Sequence, residues 1–575
     1  MLLTQRKEIV EEISAKIAET IKAEFDIDVK PELSFPDPSF GDFSTNVALQ
    51  LAKELKKSPR EIAEQIIAKL TTEGFKLDLV GNFTTSEIKC QVAGAGFINI
   101  TLSDNLLASF MDQTYQSQKY AGKVVVSEFS DPNPFKILHV GHLYTSIMGD
   151  AISNIVEAAG GTVHRVNFGG DVGLHVAKAM WGVEKELGGF DETKLTKIAK
   201  NQRSDWLAKC YVLGTAAYDD DEAAKSAITD LNKKLYAVHT ENDHISALAK
   251  VYWTCRSWSY QYFDDFYERV GVKFEKYYPE SEVAGLGLEI VEREAKKGVY
   301  ESSDGALVFK GEPYGLHTRV FVNQAGLPTY EAKDVGLIET KWRDYQFDES
   351  IVITGADITE YMKVVLKSVE QFSPKLAERT RHITHGNVKL PGAVKMSSRK
   401  GNFLKAVDVL DMVEQAEREV SDDANEAMML GAVKYAFLKN RLEGDIIFDL
   451  KESVSLHGNS GPYLQYSLAR AKSILRKAEA KTESDENVKL DKWERRLLLK
   501  FVEWRVALQR ATDELAPHHI CTYLYELAQT FSQFYENDRV VGGEKEFLRQ
   551  KLVQKYIAML ENGFRLLGLP TVERV

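Results

Sequence analysis

Apolar positions along this chain change their period from region to region, and the changes mark different kinds of structure. Ile9, Ile13, Ile17 and Ile21 recur every four residues, which predicts an amphipathic helix. Proline-rich Pro31 to Pro38 breaks it, and Phe40-Gly41-Asp42-Phe43-Ser44-Thr45-Asn46 opens a second helix through Leu55. Ser58-Pro59-Arg60-Glu61 reads as a third helix start, with an N-cap, a proline at the first helical position and an acidic first turn. Gly94-Ala95-Gly96 runs straight into Phe97-Ile98-Asn99-Ile100 and lacks the third glycine of a dinucleotide loop. It therefore predicts a tight turn before a strand. Residues 1–115 read as a separate α+β domain.

From Gly122 the pattern alternates. Lys123-Val124-Val125-Val126 predicts a buried strand, Asp131-Pro132-Asn133-Pro134 a turn, and Gly141 to Ala159 a helix that Gly160-Gly161 stops. Thr162 to Asn167 is the next strand. The result is a βαβ unit of a Rossmann-like parallel sheet, with its loop at the carboxyl end, where open α/β sheets hold ligands. Residues from about 181 to 295 are charged and helical, as an insertion would be. Strand-like segments return at Ala306 to Phe309, Thr318 to Val322 and Ile351 to Thr354. After Asn402 the pattern is almost wholly helical. The expected organisation is an α/β core over 116–405, a helical connector over 406–455 and an all-α domain over 456–575.

A length of 575 residues exceeds what one core can serve and agrees with several domains. No apolar run approaches the roughly 20 residues of a membrane span, and Met1 to Glu19 has no signal-peptide core. A cytoplasmic protein with no membrane partner is expected. Cys90, Cys210, Cys255 and Cys521 are scattered, without zinc spacing, so no metal site is expected. The net charge of −12 does not exclude a nucleic-acid partner, because phosphate binding depends on local positive patches.

Two short segments carry the candidate chemistry: His139-Val140-Gly141-His142 and Lys395-Met396-Ser397-Ser398-Arg399-Lys400-Gly401-Asn402. The first opens a long helix, where unpaired backbone N–H groups and the helix dipole favour anions. Its imidazoles can donate to phosphate oxygens, and Gly141 leaves room for a base against the backbone. The second is a basic loop that could close on the same phosphates. Read alone, the first could be two ordinary histidines at a helix start, and the second a solvated turn.

In this order the two segments resemble the HIGH and KMSKS motifs of class I aminoacyl-tRNA synthetases, and the flanking residues resemble the arginyl-tRNA synthetase family. The resemblance covers nearly the whole chain. It implies ATP-dependent activation of L-arginine to an adenylate and transfer to tRNA(Arg), with Mg2+ accompanying ATP. By resemblance, His139, Gly141, His142, Lys395, Met396, Ser397 and Ser398 bind ATP, and His139, His142 and Lys395 act in catalysis. Ser398 stands where the family pattern has lysine; Lys136, three residues before His139, matches the position thought to compensate.

Ser127-Glu128-Phe129-Ser130-Asp131-Pro132-Asn133, Tyr278-Pro279-Glu280-Ser281 and Tyr330-Glu331-Ala332-Lys333-Asp334 resemble the family's amino-acid pocket. The resemblance implies that Asp334 and Glu280 face the guanidinium with Tyr330 alongside, while Asn133 and Glu128 orient the α-carboxylate and α-ammonium. A guanidinium has five donors in a planar fork, so fixed carboxylates suit it. Asp131 replaces a second serine of the pattern and reads as a harmless turn variant. Asp357, in Gly355-Ala356-Asp357, is a further arginine contact on thinner grounds, since the glutamine or paired histidines of that segment are absent.

His457-Gly458-Asn459-Ser460-Gly461-Pro462-Tyr463-Leu464-Gln465-Tyr466-Ser467-Leu468-Ala469-Arg470 resembles the entry to the family's anticodon-binding domain, and residues 1–115 its N-terminal tRNA-contacting domain. Tyr463, Tyr466 and Arg470 share a helix and could read unstacked bases; the tyrosines could equally pack that helix on its core. A monomer is expected. The competing readings are a different nucleotidyltransferase and a non-catalytic RNA-binding paralogue.

Overall fold

The structure, a computed structural model, describes residues 9–73, 88–112, 115–389, 391, 404–420, 425–478 and 489–573. The chain divides into two compact units. One gathers Met1–Tyr115, Ala471–Arg505 and Glu526–Met559; the other holds Gln116–Arg470, Val506–Tyr525 and Leu560–Val575.

The first unit is built from helices α1 (Ile9–Phe25), α2 (Val47–Leu55), α3 (Pro59–Glu73) and α4 (Asp104–Ala108) around a sheet of β1 (Phe43–Thr45), β2 (Ile88–Ala93) and β3 (Phe97–Leu102). The four isoleucines of α1 are all buried, so the four-residue period does face the core. The Ser58 and Glu61 side chains exchange hydrogen bonds with each other's backbone N–H groups, which closes a capping box on α3. One expectation fails here: Phe43-Ser44-Thr45 does not open α2 but pairs antiparallel with β3, Phe43 opposite Ile100. Buried Phe43 and the Ser44–Asn99 side-chain bond (2.7 Å) reward the extended form, and helix begins only at Val47.

The second unit carries a parallel sheet in the order β11-β10-β4-β5-β6, formed by β4 (Val124–Glu128), β5 (Thr162–Gly169), β6 (Lys276–Pro279), β10 (Glu349–Gly355) and β11 (Thr380–His385). Val126, Val166 and Val352 are buried in a sheet covered on both faces. Helix α5 (Val140–Ala158) crosses from β4 to β5. The helices α6 (Leu174–Leu187), α7 (Glu192–Leu195), α8 (Arg203–Asp220), α9 (Glu222–Thr240) and α10 (Ala247–Val270) form a layer with a core of its own.

That layer closes earlier than the 181–295 expected. Lys276–Pro279 is itself a sheet strand beside β5, and α11 (Glu280–Ala295) follows directly from it. The strands β7 (Glu301–Ser303), β8 (Ala306–Phe309) and β9 (Arg319–Val322) do not rejoin the main sheet but form a separate antiparallel one. Helices α12 (Tyr330–Tyr345), α13 (Thr359–Glu370) and α14 (Pro374–Arg379) return the chain to the sheet. Beyond residue 404 the described chain is helical, as the pattern predicts: α15 (Ala406–Val420), α16 (Glu426–Leu438), α17 (Leu450–Ser453), α18 (Gly461–Lys477), α19 (Lys492–Glu514), α20 (His518–Asn537) and α21 (Glu546–Leu567), with one short β12 (Val388–Lys389) to β13 (Ile446–Ile447) pairing.

Candidate active site

A cavity of about 1240 Å³ opens at the carboxyl ends of β4, β5 and β10, the place an open α/β sheet offers a ligand. Glu128, Asn133, His139, Gly141, His142, Glu280, Tyr330, Asp334 and Asp357 all line it. Residues from five elements and their loops, spread over more than 200 positions, are thus brought together.

The two histidines are part of the helix cap. His139 is the N-cap of α5; its Nδ1 accepts from Gly141 N–H at 3.1 Å, and His142 Nδ1 accepts from His139 N–H at 3.1 Å. The rings lie 3.9 Å apart between centroids. Burial, with Lys136 nearby, pushes His139 down to about 4, and burial with His139 and Lys136 pushes His142 well below its ordinary value. Both rings are therefore neutral at pH 7. Since each Nδ1 accepts a bond, the ring proton belongs on Nε2. Gly141 is required for a reason other than room for a base: a Cβ there would sit 2.8 Å from His139 Cε1.

Lys136 is half-buried, with its ammonium over the Tyr211 ring at 4.9 Å. Asp357 is exposed on the turn after β10, close enough to act on His139. Lys395, Met396, Ser397 and Ser398 lie outside the described residues.

The acids are arranged differently. Glu128 closes β4, is buried, and is bound by the buried Lys341 ammonium, which also donates to Ser350 Oγ at 3.0 Å. Buried Glu280, the first residue of α11, is bound by Lys333 at 2.5 Å. Helices α11 and α12 can bring these two together because glycines meet where they cross: a Cβ on Gly287 would lie 2.0 Å from Ala332 O. Asp171, fully buried, anchors the first turn of α11 by accepting Ser281 N–H (2.9 Å) and Ser281 Oγ (2.7 Å), while Arg256 Nε donates to it at 2.9 Å.

Among the described residues Asp334 has no such ionic partner. The Tyr361 hydroxyl donates to it, but burial, with Glu128 and Glu280 nearby, raises its carboxyl to about 8. Glu128 thus also acts on Asp334. Tyr330, half exposed, donates to His175 Nδ1 at 3.2 Å. His175 Nε2 then donates to Gly170 O at 2.7 Å. Asn133 Oδ1 accepts Gly170 N–H at 2.8 Å, which fixes the amide's orientation.

Tyr463, Tyr466 and Arg470 stand on α18, away from the cavity lining. Tyr463 is half-buried with its ring edge-on to Tyr525 at 5.8 Å, and Arg470 lies over Tyr466 at 5.4 Å. The sequence reading overlooks Lys333, Lys341, Tyr361, His175 and Asp171. Lys341 could have been found: it follows Asp334 by seven residues on α12, hence on the same helical face.

Three family models match. They are tRNA synthetases class I (R), catalytic domain, over residues 104–450; the DALR anticodon binding domain over 464–575; and the arginyl tRNA synthetase N terminal domain over 7–102. Among curated relatives, arginine–tRNA ligase of Clostridium acetobutylicum is 30% identical over 581 residues, covering 97% of this chain and 99% of that one. That of Clostridium perfringens is 29% identical over 591 residues, covering 97% and 99%. In fold, the chain is similar to Thermus thermophilus arginyl-tRNA synthetase (TM-score 0.78, 23% identity, 99% of this chain and 100% of that one). It is also similar to the Plasmodium falciparum arginyl-tRNA synthetase (TM-score 0.73, 21% identity, 100% of both).

Proposed function

The chain belongs to the class I arginyl-tRNA synthetases, and from that membership we propose how its own residues divide the family's reaction. That reaction charges tRNA(Arg) with L-arginine. The α-carboxylate attacks the α-phosphorus of ATP and pyrophosphate leaves. A terminal ribose hydroxyl of the tRNA then attacks the activated carbonyl and AMP leaves.

His139 and His142 donate Nε2–H to phosphate oxygens as charge moves onto pyrophosphate. Their neutral state and the commitment of each Nδ1 to the helix cap support this, because donors fixed beforehand need no reorganisation during the reaction. Gly141, Lys395, Met396, Ser397 and Ser398 complete the ATP site, and Lys136 adds positive charge in place of a lysine at 398. Asp334 and Glu280 select the guanidinium with Tyr330. Asn133 and Glu128 orient the amino-acid end, and Asp357 contributes at the rim. Tyr463, Tyr466 and Arg470 contact the tRNA.

ATP arrives with Mg2+. Mg2+ keeps several waters and leans on phosphate oxygens, which suits a cavity where the only described trio of acids able to share an ion lies elsewhere. That trio, Asp491, Glu494 and Asp538, is already held by Lys545 and Arg549. Among the described residues no helix is long and apolar enough to cross a membrane, and a cytoplasmic monomer is the reading.

One observation carries the pocket assignment: Asp334 is buried in the same cavity as two neutral imidazole donors, and among the described residues no cation pairs with it. An aminoacylation assay with ATP, tRNA and a panel of amino acids tests it. Only arginine should be joined, with AMP and pyrophosphate formed. Equal use of citrulline or lysine, or no charging at all, would refute it.

A further inference from the structure

The loop after β4 accepts backbone strain and aims one more carboxyl into the cavity. Ser130, Asp131 and Phe135 have φ of 75°, 48° and 67°, a conformation costly for any residue with a side chain and least so for aspartate and asparagine. Neighbours hold it in place. Ser130 Oγ lies 2.8 Å from the Tyr267 hydroxyl and accepts from Ser146 Oγ at 2.9 Å, while Phe135 N–H donates to Ser259 Oγ at 2.9 Å. Asp131 Oδ1 accepts Phe168 N–H at 2.8 Å, and the residue lines the cavity.

Glu128 and Glu280 are each matched by a buried lysine. Asp131 and Asp334 are not: among the described residues neither forms an ion pair. Lys341 acts on both from a distance but is bound to Glu128. Burial and the charge of Glu128 outweigh it and push both carboxyls up. Arginine carries two cations, one at each end. Of the lining carboxyls without an ion pair, Asp357 is exposed to solvent, and the other two, Asp131 and Asp334, match that count.

We propose that Asp131 is a second specificity carboxylate of this pocket, which pairs with the α-ammonium of arginine while Asp334 takes the guanidinium. The proposal rests on the reading of this cavity as the arginine site. Asp131 belongs at the reacting end because its loop continues through Asn133 to His139. Asp334 stands instead on α12 beneath Tyr361. Asp131 therefore makes charge, and not shape alone, the means by which amino-acid ends are told from other guanidinium compounds.

The test is an equilibrium titration of the full chain with L-arginine and with 5-guanidinopentanoate, which is arginine without its α-ammonium. Wild type is compared with Asp131→Asn and Asp131→Ser. Both variants should weaken arginine by about 10- to 100-fold, the value of one charge-assisted hydrogen bond in a partly desolvated site. The deamino analogue should change by no more than about a factor of two or three, since it never makes that bond. Partial unfolding divides both intrinsic dissociation constants by the same folded fraction, so the ratio of the two ligands stays readable if a variant is unstable. Equal losses for both ligands, or none for arginine, overturn the proposal. Wild type that binds neither ligand overturns the arginine reading itself.

Discussion

The histidine side and the acid side of this cavity solve opposite problems with the same economy of parts. On the histidine side each Nδ1 is committed to the backbone at the start of α5, and both rings are neutral before any ligand arrives. On the acid side Glu128 and Glu280 are matched by Lys341 and Lys333, whereas Asp131 and Asp334 form no ion pair among the described residues. The difference separates two kinds of recognition. A neutral donor can wait for ATP at no cost, whereas a buried unmatched carboxyl is destabilising until a cation comes. On the proposed reading, selection of arginine resides in carboxyls that the described residues leave without a cation.

Breaking the acid side should have the largest effect. Asp334→Asn keeps shape and removes charge, so arginine kcat/KM should fall by about two to four orders of magnitude, the cost of leaving one partner of a desolvated pair unmatched. Neutral, nearly isosteric citrulline should lose much less, and the arginine-to-citrulline ratio reads the difference. The same change should act on stability with the opposite sign. The folded-state value of Asp334 is raised to about 8 from 3.8, so the folded protein holds that proton more tightly than the unfolded chain. Its stabilising contribution is full below the unfolded value and is lost as pH rises through about 8. Without substrate, Asp334→Asn should therefore be more stable than wild type at pH 8, on the order of 1–3 kcal/mol, and alike at pH 4. Chemical denaturation at the two pH values checks this.

Breaking the histidine side should come next. His142→Ala should lower the adenylate-forming rate by about 10²–10³-fold, the usual cost of one preorganised donor, with a much smaller effect on arginine binding. Pyrophosphate exchange beside arginine titration distinguishes the two, and equal losses would remove the residue from phosphate chemistry. The matched pairs supply a contrast within the acid side. Lys341→Met strands the buried Glu128 charge and should destabilise the fold by about 3–5 kcal/mol, while adding Glu128→Gln should recover much of that loss. Outside the cavity the effect should be smallest. Tyr466→Ala should raise the KM for tRNA severalfold, about 1 kcal/mol, by removing a stacking surface, and leave arginine affinity alone.

Local signals made much of the fold readable. Helices α1 and α3 follow from a four-residue period and a capping box, and the β4–α5 turn from its Asp-Pro-Asn-Pro run and the histidines after it. Each is written within a dozen residues. What could not be read depends on distance along the chain. Phe43–Thr45 is a strand only because β3, more than 50 residues later, lies beside it. The early close of the α6–α10 layer depends on β6 finding β5. In the site, motif residues were legible and their counter-ions were not, since Lys341 reaches Glu128 across 213 positions. Asp131 looked like a turn residue because sequence shows a substitution but not the cavity on which it opens.

The claim that the pocket keeps an uncompensated carboxyl for its substrate has a direct consequence in protons. At pH 7 an Asp334 whose value is about 8 is mostly protonated in the empty cavity, and pairing with a guanidinium should draw that value well below 7. Titration calorimetry with L-arginine, run at pH 7 in two buffers of different ionisation enthalpy, counts the protons exchanged. The account predicts release of about one proton or more per arginine bound, and an affinity that strengthens from pH 6 to pH 8. Binding with no buffer dependence, and an affinity flat across that range, would contradict it.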